Sequence, residues 1–173
     1  MKLNYKDEKD KCYGATGMAM GIVIFDGEDM LSAVNLDADP AGIIEFVESF
    51  YFSGNPRVSA KTSWNRILNS YNISMGVSMA NILCRSLVME GMAVDEETLG
   101  HLREIMIEEG RAACSLDDDE INSLFDKNYG YLRRVFSHSG VQSVARDFAE
   151  TLTRMRRMSR AEVVDNLRAL NML

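Results

Sequence analysis

Histidine is nearly missing from this sequence: His101 and His138 are the only two among 173 residues, so general-base and imidazole-ligand chemistries have at most two places to start. Cysteine is scarce as well. Cys12, Cys84 and Cys114 are odd in number and far apart, which argues against a disulfide framework and for reduced, mostly buried thiols in a cytoplasmic protein. No apolar run approaches the roughly 20 residues that a membrane-spanning helix needs. Lys2, Lys6, Lys9 and Lys11 precede the mildly apolar run from Tyr13 to Phe25, but Asp7, Glu8 and Asp10 lie among them and Gly14, Gly17 and Gly21 interrupt the run. A secretory leader is therefore not expected. Repeats, low-complexity tracts and Pro-, Gly- or Ser-rich linkers are lacking too, which leaves one domain over 1–173 as the expectation.

What is present is an ordinary globular mixture, 46% hydrophobic and 26% charged, enough to fill a sizeable core. Two apolar segments, Met18–Phe25 and Asp29–Leu36, flank Asp26-Gly27. Asp-Gly suits a two-residue hairpin turn, so the pattern predicts an antiparallel hairpin over about 16–36 with apolar side chains on both faces. Such a ribbon needs cover, either its own helices or a second chain.

From about 40 to 171 the pattern is helical, about six helices in all. Asp39-Pro40 reads as a helix start, followed by the stripe Ile43, Ile44, Phe46, Val47, Phe50 and Tyr51 and a stop at Gly54-Asn55-Pro56. The longest candidate runs from about Thr62 to Glu90 and mixes large apolar residues with Ser74, Gly76, Ser78 and Ala80, the composition of a central helix that neighbours approach closely. Asp95 caps a helix that ends near Gly110. Ser115 opens the next, with Asp117 to Glu120 in its first turn and a kink expected at Asn128-Tyr129-Gly130. Gly140 separates a further helix, and Ser159-Arg-Ala-Glu162 is a capping box for the last. The fold class is mainly α (α+β): a multi-helix bundle with a long central helix and one N-terminal antiparallel β-hairpin.

The formal net charge of −7 conceals an asymmetry. From Glu90 to Asp126 twelve acids face only Arg103 and Arg111, about −10, whereas nine bases from Lys127 onward face four acids, about +5. The main reading is solvated helix faces whose opposite charges pair within the fold or across a homodimer. Arg154, Arg156, Arg157 and Arg160 form a candidate basic patch for nucleic acid, which phosphate contacts would require, although no aromatic interleaving accompanies them.

The remaining constellations are weak. Glu97, His101, Glu104 and Glu108 fall at i, i+4, i+7 and i+11 and place an imidazole among carboxylates on one helix face, a ligand set suited to zinc or iron. The Glu-x-x-His order of bundle di-iron sites is absent, and the apolar stripe Leu99, Leu102, Ile105 and Met106 points that face to water. His138 sits at a helix end, where Cys84 or Cys114 is a candidate nucleophile for it and a dipole interaction is the plainer reading. Gly14-Ala-Thr-Gly17 and Gly21 lack the Gly-Lys-Ser/Thr ending of a phosphate loop. Twelve methionines fill irregular cores and also suit adaptable binding surfaces.

These features predict a small cytoplasmic helical protein that acts by self-association or protein binding. Ile22, Ile24, Met30, Met75 and Met79 are its candidate interface, and no cofactor, metal or membrane is called for. The alternatives are an enzyme or metal protein using His101 or His138, and nucleic-acid binding through the C-terminal arginines.

Overall fold

A computed structural model describes residues 4–51 and 60–172. The architecture is mainly helical with a small antiparallel sheet, as the sequence pattern implies, but the N-terminal quarter is built differently. Helix α1 occupies Glu8–Ile24, strands β1 and β2 are Leu31–Asn35 and Ile44–Phe46, and α2 is Ala60–Leu83. A π-helical segment, Cys84–Glu90, prolongs α2. Then come α3 (Glu96–Cys114), α4 (Asp118–Ser137), α5 (Ser139–Met155), β3 (Arg157–Ser159) and α6 (Arg160–Leu167). No helix among the described residues is long and apolar enough to cross a membrane.

The predicted strand Met18–Phe25 is the second half of α1, and this corrects the hairpin. Met18, Ala19, Met20, Ile22 and Val23 are all buried, so α1 carries apolar side chains round its whole circumference and shows no helical period. A short apolar run of that kind cannot be told from a buried strand by pattern alone. Three glycines let α2 lie against it. A Cβ on Gly17 would stand 2.2 Å from the Ala80 carbonyl oxygen, and one on Gly21 would stand 2.9 Å from the Ala80 Cβ. Backbone therefore meets backbone along this seam, and α1 runs through the centre of the molecule between α2, α5 and the sheet. Asp26 does turn the chain, with φ 52°, but the turn joins a helix to a strand.

The predicted helix over 40–51 is also corrected. Asp39 makes no capping bond, Pro40–Gly42 is a single 3-10 turn, and Ile44–Phe46 pairs with β1 in the register Leu31↔Phe46, Ala33↔Glu45 and Val34↔Ile44. Strand β1 needs a partner on each side, and this demand outweighs the helical spacing of the local sequence. On its other edge β3 pairs Ala33↔Ser159, Val34↔Met158 and Asn35↔Arg157, giving the order β2-β1-β3. The predicted stop at Gly54-Asn55-Pro56 lies outside the described residues. The ribbon's cover is internal: Leu31, Val34, Ile43 and Met158 have no exposed surface and pack in the common core with α1 and α6.

The later helices follow their caps. The Asp95 carboxylate accepts the Thr98 N–H at 2.7 Å, and Asp117 with Glu120 and Ser159 with Glu162 form reciprocal capping boxes. Helix α4 passes Asn128-Tyr129-Gly130 without a break, and α3 continues past Gly110 to Cys114. Gly110 sits where α3 crosses Tyr71, whose hydroxyl donates to the Met106 carbonyl at 2.7 Å. Burial pushes the Tyr71 pKa up to about 12. Because the Ser159 cap holds both the end of β3 and the start of α6, Ser159→Ala is expected to lower the unfolding free energy by about 1 kcal/mol. A urea midpoint measures this, with Ser123→Ala on the exposed side of α4 as the neutral comparison.

Candidate functional site: a trough along helix α4

The sequence-derived candidates disperse in the fold. Glu97, His101, Glu104 and Glu108 all lie on the exposed side of α3, opposite the buried Leu102 and Met106. Among the described residues no three His, Cys, Asp or Glu side chains gather so as to hold a metal ion. His138 is exposed at the junction of α4 and α5, beside a cavity of about 430 Å³ that neither Cys84 nor Cys114 borders. Both thiols are buried, and burial pushes their pKa values above the ordinary thiol range. Cys12 is raised for the same reason, and its Sγ donates to the Ala149 carbonyl at 3.2 Å.

The C-terminal arginines tie the α5–β3 corner to the rest of the chain. Arg156 pairs with Glu8 and Asp37, Arg157 with Glu45 at 2.6 Å, and Arg160 with Asp29; Arg154 is exposed. Three of the four guanidiniums thus already meet carboxylates. The candidate interface is corrected on burial: Ile22, Met75 and Met79 have no exposed surface, while Ile24 and Met30 are half-buried. These methionines fill the core between helices, where a flexible thioether suits irregular gaps.

The arrangement most capable of chemistry was not among those candidates. Helices α2 and α4 splay apart to leave a groove of about 620 Å³, which Leu68, Leu116, Leu124 and Phe25 line with apolar surface. Its polar side is a set of asparagines. Asn65, Asn69 and Asn72 fall at i, i+4 and i+7 on α2 and so share one helix face, and Asn128 faces them from α4. Asn128 is only 5% exposed. Its Nδ2 donates to Asn72 Oδ1 at 2.8 Å and lies 3.6 Å from the Met75 Sδ. The two committed atoms leave the Asn128 carbonyl oxygen and the Asn72 amide nitrogen without hydrogen bonds among the described residues, both on residues that border the groove.

Tyr131, 44% exposed, separates this groove from the cavity beside His138 and borders both. Its ring meets Phe25 edge to face, with centroids 6.3 Å apart and planes at 83°. Lys127, Tyr131, Arg134 and His138 follow one another at helical spacing, so the groove and the cavity lie one after the other along α4, with Tyr131 between them, and together are termed the trough. Neither Lys127 nor Arg134 is ion-paired among the described residues. The acids at its borders are Glu120, which accepts the Asp117 backbone N–H at 3.0 Å, and Asp26. No protein-family model, curated protein or solved structure matches this chain, so the trough is read from its own residues.

Proposed function

We propose that this protein works by binding a segment of another protein, and that the groove between α2 and α4 is the docking site. The observation that carries this reading is the pair Asn72 and Asn128, whose free amide nitrogen and carbonyl oxygen belong to residues that line the wall of a mostly apolar groove. A concave surface that is mostly apolar, with a few convergent polar groups, is the usual form of a recognition site. Rigid helices set both asparagines, so the site is preorganised and little ordering entropy opposes binding. Self-association through the sheet draws less support, since its apolar side chains are already covered by the chain's own helices.

Chemical-shift mapping on the isotopically labelled protein tests the site. N-acetyl-leucine N-methylamide, which has an apolar side chain and two peptide groups, is expected to shift the carboxamide resonances of Asn72 and Asn128 saturably. The shifts are expected to vanish in Leu124→Arg, which places a long cation across the groove. Shifts centred instead on the acidic side of α3 or at the α5–β3 corner would move the function elsewhere.

A further inference from the structure

We infer that the cleft where α3 packs on α2, on the far side of α2 from Asn65, Asn69 and Asn72, binds a small organic cation: an alkylammonium whose apolar body lies on Phe50 and Ile67 and whose charge meets Glu109.

The packing of the two helices builds this cleft. On α2, Ile67, Ser70, Tyr71 and Ser74 follow one another at helical spacing and turn away from the asparagines. Opposite them on α3 stand Glu109 and two alanines, Ala112 and Ala113, whose small side chains leave a space of about 360 Å³. That volume is at the lower end of the range for small-molecule sites. Phe50 forms the remaining wall and stacks on Phe46, with centroids 3.8 Å apart and planes at 8°. Tyr71 is fixed by its bond to the Met106 carbonyl.

Charge selects the ligand. Among the described residues Glu109 is the one charged side chain on the border, and it makes no hydrogen bond or ion pair with any other of them. The groove and the cavity along α4 differ in this, since each sets an acid against a permanent cation, Glu120 with Lys127 and Asp26 with Arg134. Burial raises the Glu109 pKa above the ordinary glutamate value; the ammonium at the chain N-terminus opposes this without cancelling it, and Glu108 adds to it. A carboxylate partly withdrawn from water and short of a partner is stabilised by an ammonium through a charge-assisted hydrogen bond, and destabilised by a second anion. Glu109 also belongs to the strongly acidic stretch from Glu90 to Asp126, whose field draws cations.

Other cations fit less well. A divalent metal ion takes more oxygen ligands than one carboxylate and the serine hydroxyls supply. A lysine of another protein would bring peptide amides with it, and the border has little to offer them: the Ser70 hydroxyl already donates to the Phe50 carbonyl at 3.4 Å, which leaves Ser74. A free amine brings no such groups.

Titration of hexylammonium chloride onto the isotopically labelled full chain tests this. Saturable shifts are expected at the Ala112 and Ala113 methyl groups and at the Glu109 carboxyl carbon. The titration midpoint of that carboxyl is expected to fall when the amine is present, because the amine binds the ionised form. Glu109→Gln keeps the shape of the side chain and is expected to weaken binding at least about tenfold, to the level of 1-hexanol, which has the same body and no charge. Ala113→Phe, at an exposed position, is expected to fill the cleft and abolish binding. Leu124→Arg, in the groove on the other side of α2, is expected to leave it unchanged, so this site and the docking groove stand or fall separately. Equal binding of hexylammonium and 1-hexanol to the wild type, binding that survives Glu109→Gln, or binding lost in Leu124→Arg would each overturn the assignment. Tighter binding of Nα-acetyl-lysine N-methylamide than of hexylammonium would replace the free amine by a lysine side chain, and the absence of any saturable shift would overturn the site outright.

Discussion

Gly17→Ala is expected to be the most destabilising single methyl group that can be added to this protein. The new Cβ would sit 2.2 Å from the Ala80 carbonyl oxygen and 2.7 Å from the Cys84 Cβ, separations that no rotamer change relieves because one neighbour is backbone. Helix α1 must move away from α2, and the movement opens the packing of Ala15, Met18, Ile22, Met79 and Leu83, all in the same buried cluster. Overpacking usually costs about 1–3 kcal/mol. With a backbone contact at the centre of the longest helix–helix seam, a loss of at least about 3 kcal/mol is expected, a large share of a domain's total. The comparison is Gly100→Ala on α3, where a Cβ meets nothing within 4 Å. That change is expected to stabilise by about 0.5–1 kcal/mol, since glycine is a poor helix former. Urea unfolding of the two variants should move the midpoint in opposite directions; equal midpoints would show that the α1–α2 seam is not closely packed.

The same seam explains where the sequence was legible and where it was not. Helices with one face in water declare themselves twice, by an apolar stripe and by a cap, and Asp95, Asp117 and Ser159 each stand where their carboxylate or hydroxyl meets the third backbone N–H. Helix α1 has a cap too, Asp7 accepting the Asp10 N–H at 2.8 Å, but no face in water beyond its first turns. Its glycines at 14, 17 and 21 interrupt the apolar run as turns would, although the intervals of three and four residues belong to one side of a helix. Read that way, they mark close helix packing. Strand β3 is three residues long with the burial pattern exposed, buried, exposed, and nothing local distinguishes it from a loop. Residues 43–51 carry helical spacing, but β1 supplies hydrogen-bonding partners that a local pattern cannot show.

The candidate site was hidden for a related reason. Polar residues on a helix are assigned to solvent by default, and the i, i+4, i+7 spacing of Asn65, Asn69 and Asn72 is equally that of a solvated helix face. Asn128, next to Tyr129-Gly130, reads as part of a helix break. Only the crossing of α4 over α2 buries Asn128 to 5% exposure and aims its Nδ2 at Asn72. The charge asymmetry, by contrast, is visible in the sequence, but its pairing is not: Arg156, Arg157 and Arg160 are paired within the fold, whereas Arg134, further back along the chain, borders the trough.

Asp10→Ala is expected to be the second most damaging change, at about 3 kcal/mol, and its effect to depend on pH. The Asp10 carboxylate is 2% exposed and receives Arg85 Nε and Nη2, each at 2.6 Å, and the Lys6 backbone N–H at 2.9 Å. Arg85 lies over the Tyr5 ring, 5.0 Å from its centroid, and Tyr5 accepts the Asn81 Nδ2 at 3.0 Å. One ion pair thus fastens the start of α1 to the π-helical extension of α2. Removing one partner of a buried pair strands the other and usually costs about 3–5 kcal/mol; the 19% exposure of the Arg85 side chain lets it reach water and places the loss at the lower end. Burial alone would raise the Asp10 pKa, but the Arg85 and Lys6 hydrogen bonds outweigh it and hold the carboxyl below the ordinary aspartate value. A folded-state pKa below that of the unfolded chain means that the contribution is complete above about pH 4 and disappears as pH falls through the folded value. The wild-type protein is therefore expected to lose stability on acidification below pH 4 more steeply than Asp10→Asn, which has no proton to take up at this site. Denaturation midpoints measured from pH 6 down to pH 2.5 read the difference directly. Parallel curves for the two proteins would show that the ion pair does not hold α1 to α2, and a loss on Asp10→Ala much smaller than that of Gly17→Ala would leave close packing as the stronger bond between them.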